Sequence, residues 1–299
     1  MAESSIIETV GLKKQYKNVT ALDGLGLTVP AGSIYGLLGR NGAGKTTAIK
    51  ILMGMVRPTA GRASIFGLAA SQSESSVAIR KRTGFVSDER DLYDFMTVAQ
   101  LIAFTASFFP HWRADMAKRY VRSFDLPESR TVKALSRGAR TKLALLLAFC
   151  RGAELLILDE ATTGLDPVAA EEVLQALVGH VASEGATVFF SSHQIGEIEQ
   201  IADRVAIIDR GRTALEGALD DLRESYRRIE LVFDGDAPAV QFRSPGAARV
   251  ERKGRMLTVL ASTGGEQIIE EARSLGAVSA EAWPVTLKEL FLEIVLGKG

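Results

Sequence analysis

Gly39-Arg40-Asn41-Gly42-Ala43-Gly44-Lys45-Thr46-Thr47 is the stretch whose reading decides the fold. A glycine, four residues, then Gly-Lys-Thr is the spacing of a phosphate-binding loop. Its flanks suit that reading. The apolar run Ile34 to Leu38 ahead of it reads as a buried strand, and Thr47 to Val56 behind it as a helix. Gly39, Gly42 and Gly44 let the backbone wrap inward and turn its N–H groups toward an anion, while the helix N-terminus adds partial positive charge at the same point. In such a loop Lys45 reaches the outer phosphates and the Thr46 hydroxyl can bind Mg²⁺, with Arg40, Asn41, Ala43 and Thr47 completing the cradle. The plainer alternative is an ordinary glycine-rich turn between a strand and a helix.

The rest of the composition narrows the class. The chain has 299 residues, enough for a large domain and a small one, and carries 36 basic against 36 acidic side chains. Zero formal charge gives no electrostatic case for a nucleic-acid partner. The single cysteine, Cys150, cannot form an internal disulfide and sits in an apolar run that reads as core. No apolar stretch approaches the roughly 18 residues that would cross a bilayer, and Met1 to Ser5 lack the features of a signal peptide. A cytoplasmic protein is therefore expected, with any membrane role passing through a partner.

Along the chain, Ile6 to Leu12 and Leu22 to Val29 read as strands around the turn Tyr16-Lys17-Asn18. Tyr16 could pack or could stack on a purine ring. Ala63 to Phe66 reads as a strand and Ser71 to Arg82 as a polar helix. Gly84 to Ser87 is a further strand with Asp88 at its C-terminal end, the edge where parallel sheets bind ligands. From about residue 97 to 151 the pattern is helical. Thr97 reads as an N-cap, Pro110 and Pro127 as stops, and Leu135-Ser136-Arg137-Gly138 opens an apolar helix. The aromatics Phe104, Phe108, Phe109, Trp112 and Tyr120 there suit either a core or a groove for a partner helix.

Leu155-Leu156-Ile157-Leu158-Asp159-Glu160 is the second strong signal: a strand buried on both faces that ends in two carboxylates. If this strand neighbours the one feeding the phosphate loop, Asp159 can hold the Mg²⁺ hydration shell and Glu160 can polarise the water that attacks a terminal phosphate. The bland alternative is a polar strand end. Asp166-Pro167 reads as an N-cap with proline at the first helical position, for a helix through Val181 closed by Gly185. Thr187 to Ser191 is a strand, and His193 beyond it is either structural or a sensor of the terminal phosphate. Val205 to Ile208 is one more strand. After Tyr226 the character changes to a small α+β pattern without a nucleotide motif, with strands at Ile229 to Phe233 and Met256 to Leu260 and helices at Glu266 to Leu275 and Thr286 to Val295.

These motifs, in this order, resemble the ATP-binding cassette family, the ATPase subunits of ABC transporters. Tyr16 is similar to the adenine-loop aromatic, Gly39 to Thr46 to Walker A, and Leu135 to Gly138 to the signature motif. Leu155 to Glu160 is similar to Walker B with its catalytic Glu160, Gly164-Leu165-Asp166 to the D-loop, and His193 to the switch histidine. The resemblance covers about Ile6 to Ala218. It implies an α/β fold: a P-loop NTPase core with an antiparallel β subdomain and a helical insert (about 97–151) within a domain 1–225, followed by a small C-terminal α+β domain, 226–299. It implies ATP and Mg²⁺ as ligands, with Thr46, Asp88 and Asp159 toward the metal, and Ser136, Gly138 and Asp166 toward nucleotide held by a facing subunit. The expected partners are a second ATPase subunit, the same or different, in a head-to-tail dimer, and an integral membrane permease that places the chain on the inner face of the cell membrane.

Two residues depart from the family pattern: Asp88 stands where glutamine is usual, and Arg137 where the signature's first glycine is usual. Gly84-Phe85-Val86-Ser87-Asp88-Glu89-Arg90-Asp91-Leu92-Tyr93 and the closing Leu287-Lys288-Glu289-Leu290-Phe291-Leu292 resemble cassettes of ABC-2-type permeases, often exporters. A regulatory, poorly hydrolysing cassette and a chromosome or DNA-repair ATPase head are the alternatives. The latter would carry a long coiled coil between Lys45 and Asp159, where no heptad run is present.

Overall fold

The computed structural model describes residues 5–88, 92–244 and 246–296, so Glu89, Arg90 and Asp91 of the permease-type resemblance lie outside the described residues. The chain divides into two compact units, Met1–Glu216 and Gly217–Gly299, a break ahead of the change in character at Tyr226.

The first unit opens with a long antiparallel pair, β1 (Ser5–Tyr16) and β2 (Val19–Pro30), then β3 (Ile34–Leu38), buried along its whole length. The phosphate-loop residues follow, and α1 (Lys45–Leu52) starts directly on Lys45. β4 (Ala60–Ile65) and β5 (Leu68–Ala69) return to β1, giving an antiparallel sheet in the order β2-β1-β4-β5. α2 (Ser73–Arg82) then leads into β6 (Thr83–Val86), which ends just before Asp88.

Three helices follow: α3 (Val98–Ala106), α4 (Ala114–Ser123) and α5 (Arg137–Phe149). Local chemistry starts two of them. Thr97 and Gln100 form a reciprocal capping box on α3, and the Ser136 Oγ accepts the Ala139 N–H at the start of α5. The aromatics divide between roles. Tyr120 stacks on Phe124 and meets Phe149 inside, whereas Phe104 and Phe108 touch edge to face on the exposed side. Trp112 lines a groove of about 570 Å³ between α3 and α4 with Ile102, Ala103 and Val121.

The chain then re-enters the core through β7 (Leu155–Asp159), α6 (Pro167–Glu184), β8 (Thr187–Ser192), α7 (Ile195–Ile201), β9 (Arg204–Asp209) and β10 (Arg212–Ala218). Asp166 Oδ1 caps α6 by accepting the Ala169 N–H at 2.9 Å, Pro167 fills the first position, and Gly185 closes the helix at φ 64°. The central sheet runs β10-β9-β3-β8-β7-β6, with parallel pairing from β9 through β6. β7 does not pair directly with β3, because β8 lies between them. Burying side chains such as Leu37, Ile157 and Phe189 stabilises this layer by about 1.5–3 kcal/mol each. The helix α7, absent from the sequence reading, is short and carries a buried carboxylate, Glu197.

The His180 side chain of α6 is 2% exposed, its ring lies 4.2 Å from that of Phe149, and neither ring nitrogen meets a hydrogen-bond partner among the described residues. Burial pushes its pKa down to about 4, with Glu184 raising it and Arg113 lowering it. Above pH 6.5 the ring is neutral folded or unfolded. Below that, the unfolded chain takes a proton that the folded one refuses, so stability falls from pH 6.5 toward pH 4, by about 3 kcal/mol in all. The unfolding midpoint of the wild type should therefore fall relative to that of His180→Leu as pH drops from 7.5 to 4.5. Parallel pH profiles for the two proteins would remove His180 from this role.

The second unit contains α8 (Leu219–Ser225), β11 (Arg227–Phe233), β12 (Ala247–Lys253), β13 (Met256–Ala261), α9 (Gly265–Ser274), β14 (Ala277–Pro284) and α10 (Leu287–Leu296). Its strands form one antiparallel sheet, β12-β13-β11-β14. Ile229, Leu231, Leu257 and Val259 join Ile268 and Ala272 of α9 in a core of its own. The sequence reading lacks β12 and β14. β14 is largely exposed, so it has no alternation of apolar and polar residues to read.

Candidate functional site

The site is built on the turn from β3 to α1. Close packing explains its glycines: a Cβ at Gly39 would lie 2.6 Å from Ile208 Cγ2, and one at Gly44 would lie 2.6 Å from the Ala21 carbonyl oxygen. Gly44 also has φ +111°, a conformation side chains resist. The turn drops Lys45 into the interior, 4% exposed, where its ammonium donates to the carbonyl oxygens of Gly39 at 2.7 Å and Arg40 at 3.3 Å.

Lys45 Nζ also reaches Glu160 Oε1 at 3.1 Å, and Glu160 Oε2 meets His193 Nδ1 at 3.0 Å. Glu160 Oε2 further accepts from the Thr163 hydroxyl at 3.2 Å. These contacts span three strands: Lys45 follows β3, His193 follows β8, and Glu160 follows β7. The carboxyl of Glu160 is only 16% exposed. Burial pushes its pKa up, but the hydrogen bond and charge of Lys45, with His193 and Thr163, outweigh burial and hold it below the usual glutamate range. Glu160 adopts φ 48°, rare for a residue with a side chain. Its N–H is held there by the carbonyl and the Oγ of Ser191, at 3.2 and 3.1 Å. Such strain costs on the order of 1–3 kcal/mol and is retained where surrounding structure over-determines it.

Tyr16, Asn41, Gly42, Gly44, Lys45, Thr46, Thr47, Asp88, Glu160 and His193 line one cavity of about 650 Å³, together with Val19, Thr20, Ala21 and Thr163. Tyr16 is 42% exposed at its rim, with Lys14 Nζ 4.8 Å from the ring centroid. Gly39, Arg40 and Ala43 shape the loop without lining the cavity. Asp159 is buried beside it, its Oδ1 accepting from Ser191 Oγ at 2.7 Å. Ser136 and Gly138, at the start of α5, and Asp166, capping α6, are not among the residues lining this cavity.

Sequence reading missed Ser191, Thr163 and Glu197. Ser191 pairs in register with Asp159, and a serine doublet closing an apolar strand at the carboxylate's level was the available signal. Glu197 of α7 accepts from the hydroxyls of Thr162 at 2.8 Å and Ser192 at 2.7 Å, tying the loop after β7 and the end of β8 to α7.

Thr46, Asp88 and Asp159 carry oxygen atoms of the hard type that could hold a cation such as Mg²⁺. Among the described residues no cluster of three or more His, Cys, Asp or Glu could hold a metal by itself. One hydroxyl and two carboxylates would suit Mg²⁺, which commonly takes one or two carboxylates and completes its shell with water and substrate phosphates.

A phosphate loop, a buried lysine and a strand-tip glutamate on a mostly parallel sheet define a P-loop nucleotide hydrolase. The family model described as ABC transporter matches residues 22–163. The ABC transporter ATP-binding protein YtrB of Bacillus subtilis is 28% identical over 293 residues, 98% of this chain and 99% of that one. The Nod factor export ATP-binding protein I of Ralstonia nicotianae is 32% identical over 265 residues, 86% of this chain and 82% of that one. A solved ATP-binding subunit of an ABC transporter superposes with a TM-score of 0.66 at 28% identity, over 74% of this chain and 92% of its own. The chain belongs to the ABC transporter family, as its ATP-binding and ATP-hydrolysing subunit. Among the described residues no helix is long and apolar enough to cross a membrane. The interval between Lys45 and Asp159 holds compact helices, the longest being α5 with 13 residues, and no coiled coil among the described residues.

Proposed function

We propose that this chain is one half of a head-to-tail pair that closes on ATP and drives a separate permease, in the direction of export. The observation that carries the reading is the run Lys45–Glu160–His193 on the wall of the phosphate-loop cavity. In this reading the adenine stacks on Tyr16, and the N–H groups of residues 39–47 with Lys45 cradle the phosphates. Thr46, Asp159 and Asp88 face Mg²⁺, which supplies charge neutralisation at the phosphates. Glu160 orients and polarises the attacking water, and His193 holds Glu160 and senses the terminal phosphate. Lys45 is the strongest influence lowering the pKa of Glu160, and a bound phosphate would compete with Glu160 for its ammonium.

Ser136, Gly138 and Asp166 have work only across a seam, on nucleotide held by the facing copy. Ser136 uses its oxygen as acceptor for the α5 cap, which leaves its hydroxyl proton to donate outward. The insert, with exposed Phe104 and Phe108, is the surface assigned to the permease at the inner face of the membrane. The export direction follows the relative named for Nod factor export. The test is ATP hydrolysis by the purified chain with and without a permease subunit in lipid. Measurable turnover that the permease stimulates supports the reading. No turnover in either arm would favour a regulatory cassette that works beside a better partner.

A further inference from the structure

The two side chains that depart from the family pattern meet each other. Asp88 follows β6 at the wall of the nucleotide cavity, Arg137 is the first helical residue of α5, and Arg137 Nη2 donates to Asp88 Oδ1 at 3.3 Å. The same guanidinium lies over Gly164 in the loop after β7, where an added Cβ would come 2.5 Å from Arg137 Nη1 and 2.6 Å from its Cζ. One planar cation thus joins the helical insert to two loops of the core. Each partner is poorly placed without the other. A cation in the first turn of α5 opposes the helix dipole. A carboxylate at Asp88 adds negative charge beside β7, which pairs with β6, ends in Asp159 and is followed by Glu160.

We propose that Asp88 and Arg137 form a latch that holds the helical insert to the core and opens when Mg²⁺ and nucleotide load. The inference rests on reading the cavity as the Mg²⁺-ATP site. Asp88 lines the cavity while it accepts from Arg137 through Oδ1, so a cation that draws its carboxylate competes with Arg137 for the same charge, and loading the cavity loosens the hold on the start of α5. The side chains of Arg137 and Asp88 are 49% and 47% exposed, which makes the pair weak enough to release on each cycle. Arg137 is then a positioning residue, acting on the site through Asp88 and on the loop after β7 through Gly164. Glutamine and glycine at these positions would have no such ion pair.

The test is calorimetric binding of a non-hydrolysable ATP analogue, with Mg²⁺ and with EDTA, to the wild type, Arg137→Gln, Asp88→Asn and the double variant. Arg137→Gln should tighten Mg²⁺-dependent binding about two- to five-fold, the range an exposed ion pair supports, and leave binding in EDTA unchanged. The same substitution in the Asp88→Asn background should have no effect. Unfolding midpoints verify that each variant is folded, and Arg137→Lys, which keeps the charge, should bind between wild type and Arg137→Gln. Unchanged or weaker binding by a folded Arg137→Gln, or an equal gain in the Asp88→Asn background, overturns the latch. A wild type that gives no Mg²⁺-dependent heat faults the nucleotide reading and the latch with it, whereas binding indifferent to Arg137 faults the latch alone.

Discussion

Glu160→Gln should bind ATP, hydrolyse it about 10²–10⁴-fold more slowly than the wild type, and accumulate as a nucleotide-bound dimer. The substitution keeps the shape and an oxygen that can accept from Lys45, so the cradle survives. What it removes is the charge that polarises water, and with it the step that loosens the pair. Phosphate release measures the first effect, and light scattering with and without ATP measures the second. Hydrolysis at the wild-type rate would take Glu160 out of its assigned role, and a variant that stays monomeric in ATP would count against the head-to-tail pair.

Lys45→Ala should weaken ATP binding by roughly 10²–10⁴-fold. Each hydrogen bond to a charged group contributes about 1.5–3 kcal/mol, the ammonium is placed to make more than one to the outer phosphates, and about 1.4 kcal/mol is a factor of ten. The lysine is buried against Gly39 and Glu160, so no other cation from the loop replaces it there. Stability should fall as well, because Glu160 loses its main counter-charge inside the protein. The loss should stay below the about 3–5 kcal/mol of a fully buried pair, since Glu160 keeps His193 and Thr163. Lys45→Ala combined with Glu160→Gln should recover part of that stability without recovering binding. Calorimetry and unfolding midpoints read the two effects separately. Wild-type affinity in a folded Lys45→Ala protein would mean that the loop does not hold the triphosphate.

Both predictions concern residues whose types and spacing were legible in the chain, but their meeting was not. Glycines 39, 42 and 44 ahead of Lys45 announce a turn that presents N–H groups, and the run from Leu155 announces a buried strand ending in carboxylates. The caps at Thr97, Ser136 and Asp166 were equally readable, because capping is decided within three residues of the helix start. Such signals depend only on near neighbours along the chain, so the sequence by itself determined the P-loop core, the candidate nucleophile-orienting glutamate and the helical insert.

The tertiary structure decided which strand tips face one another. Inserting β8 between β3 and β7 brings Ser191 under Asp159 and His193 beside Glu160, and no local pattern specifies that strand order. The same holds for Arg137 and Asp88, which looked like separate departures until the start of α5 was seen against the end of β6. An ion pair, a register and a crossover are settled by packing across many intervening residues, where the chain's local preferences carry no information about distance.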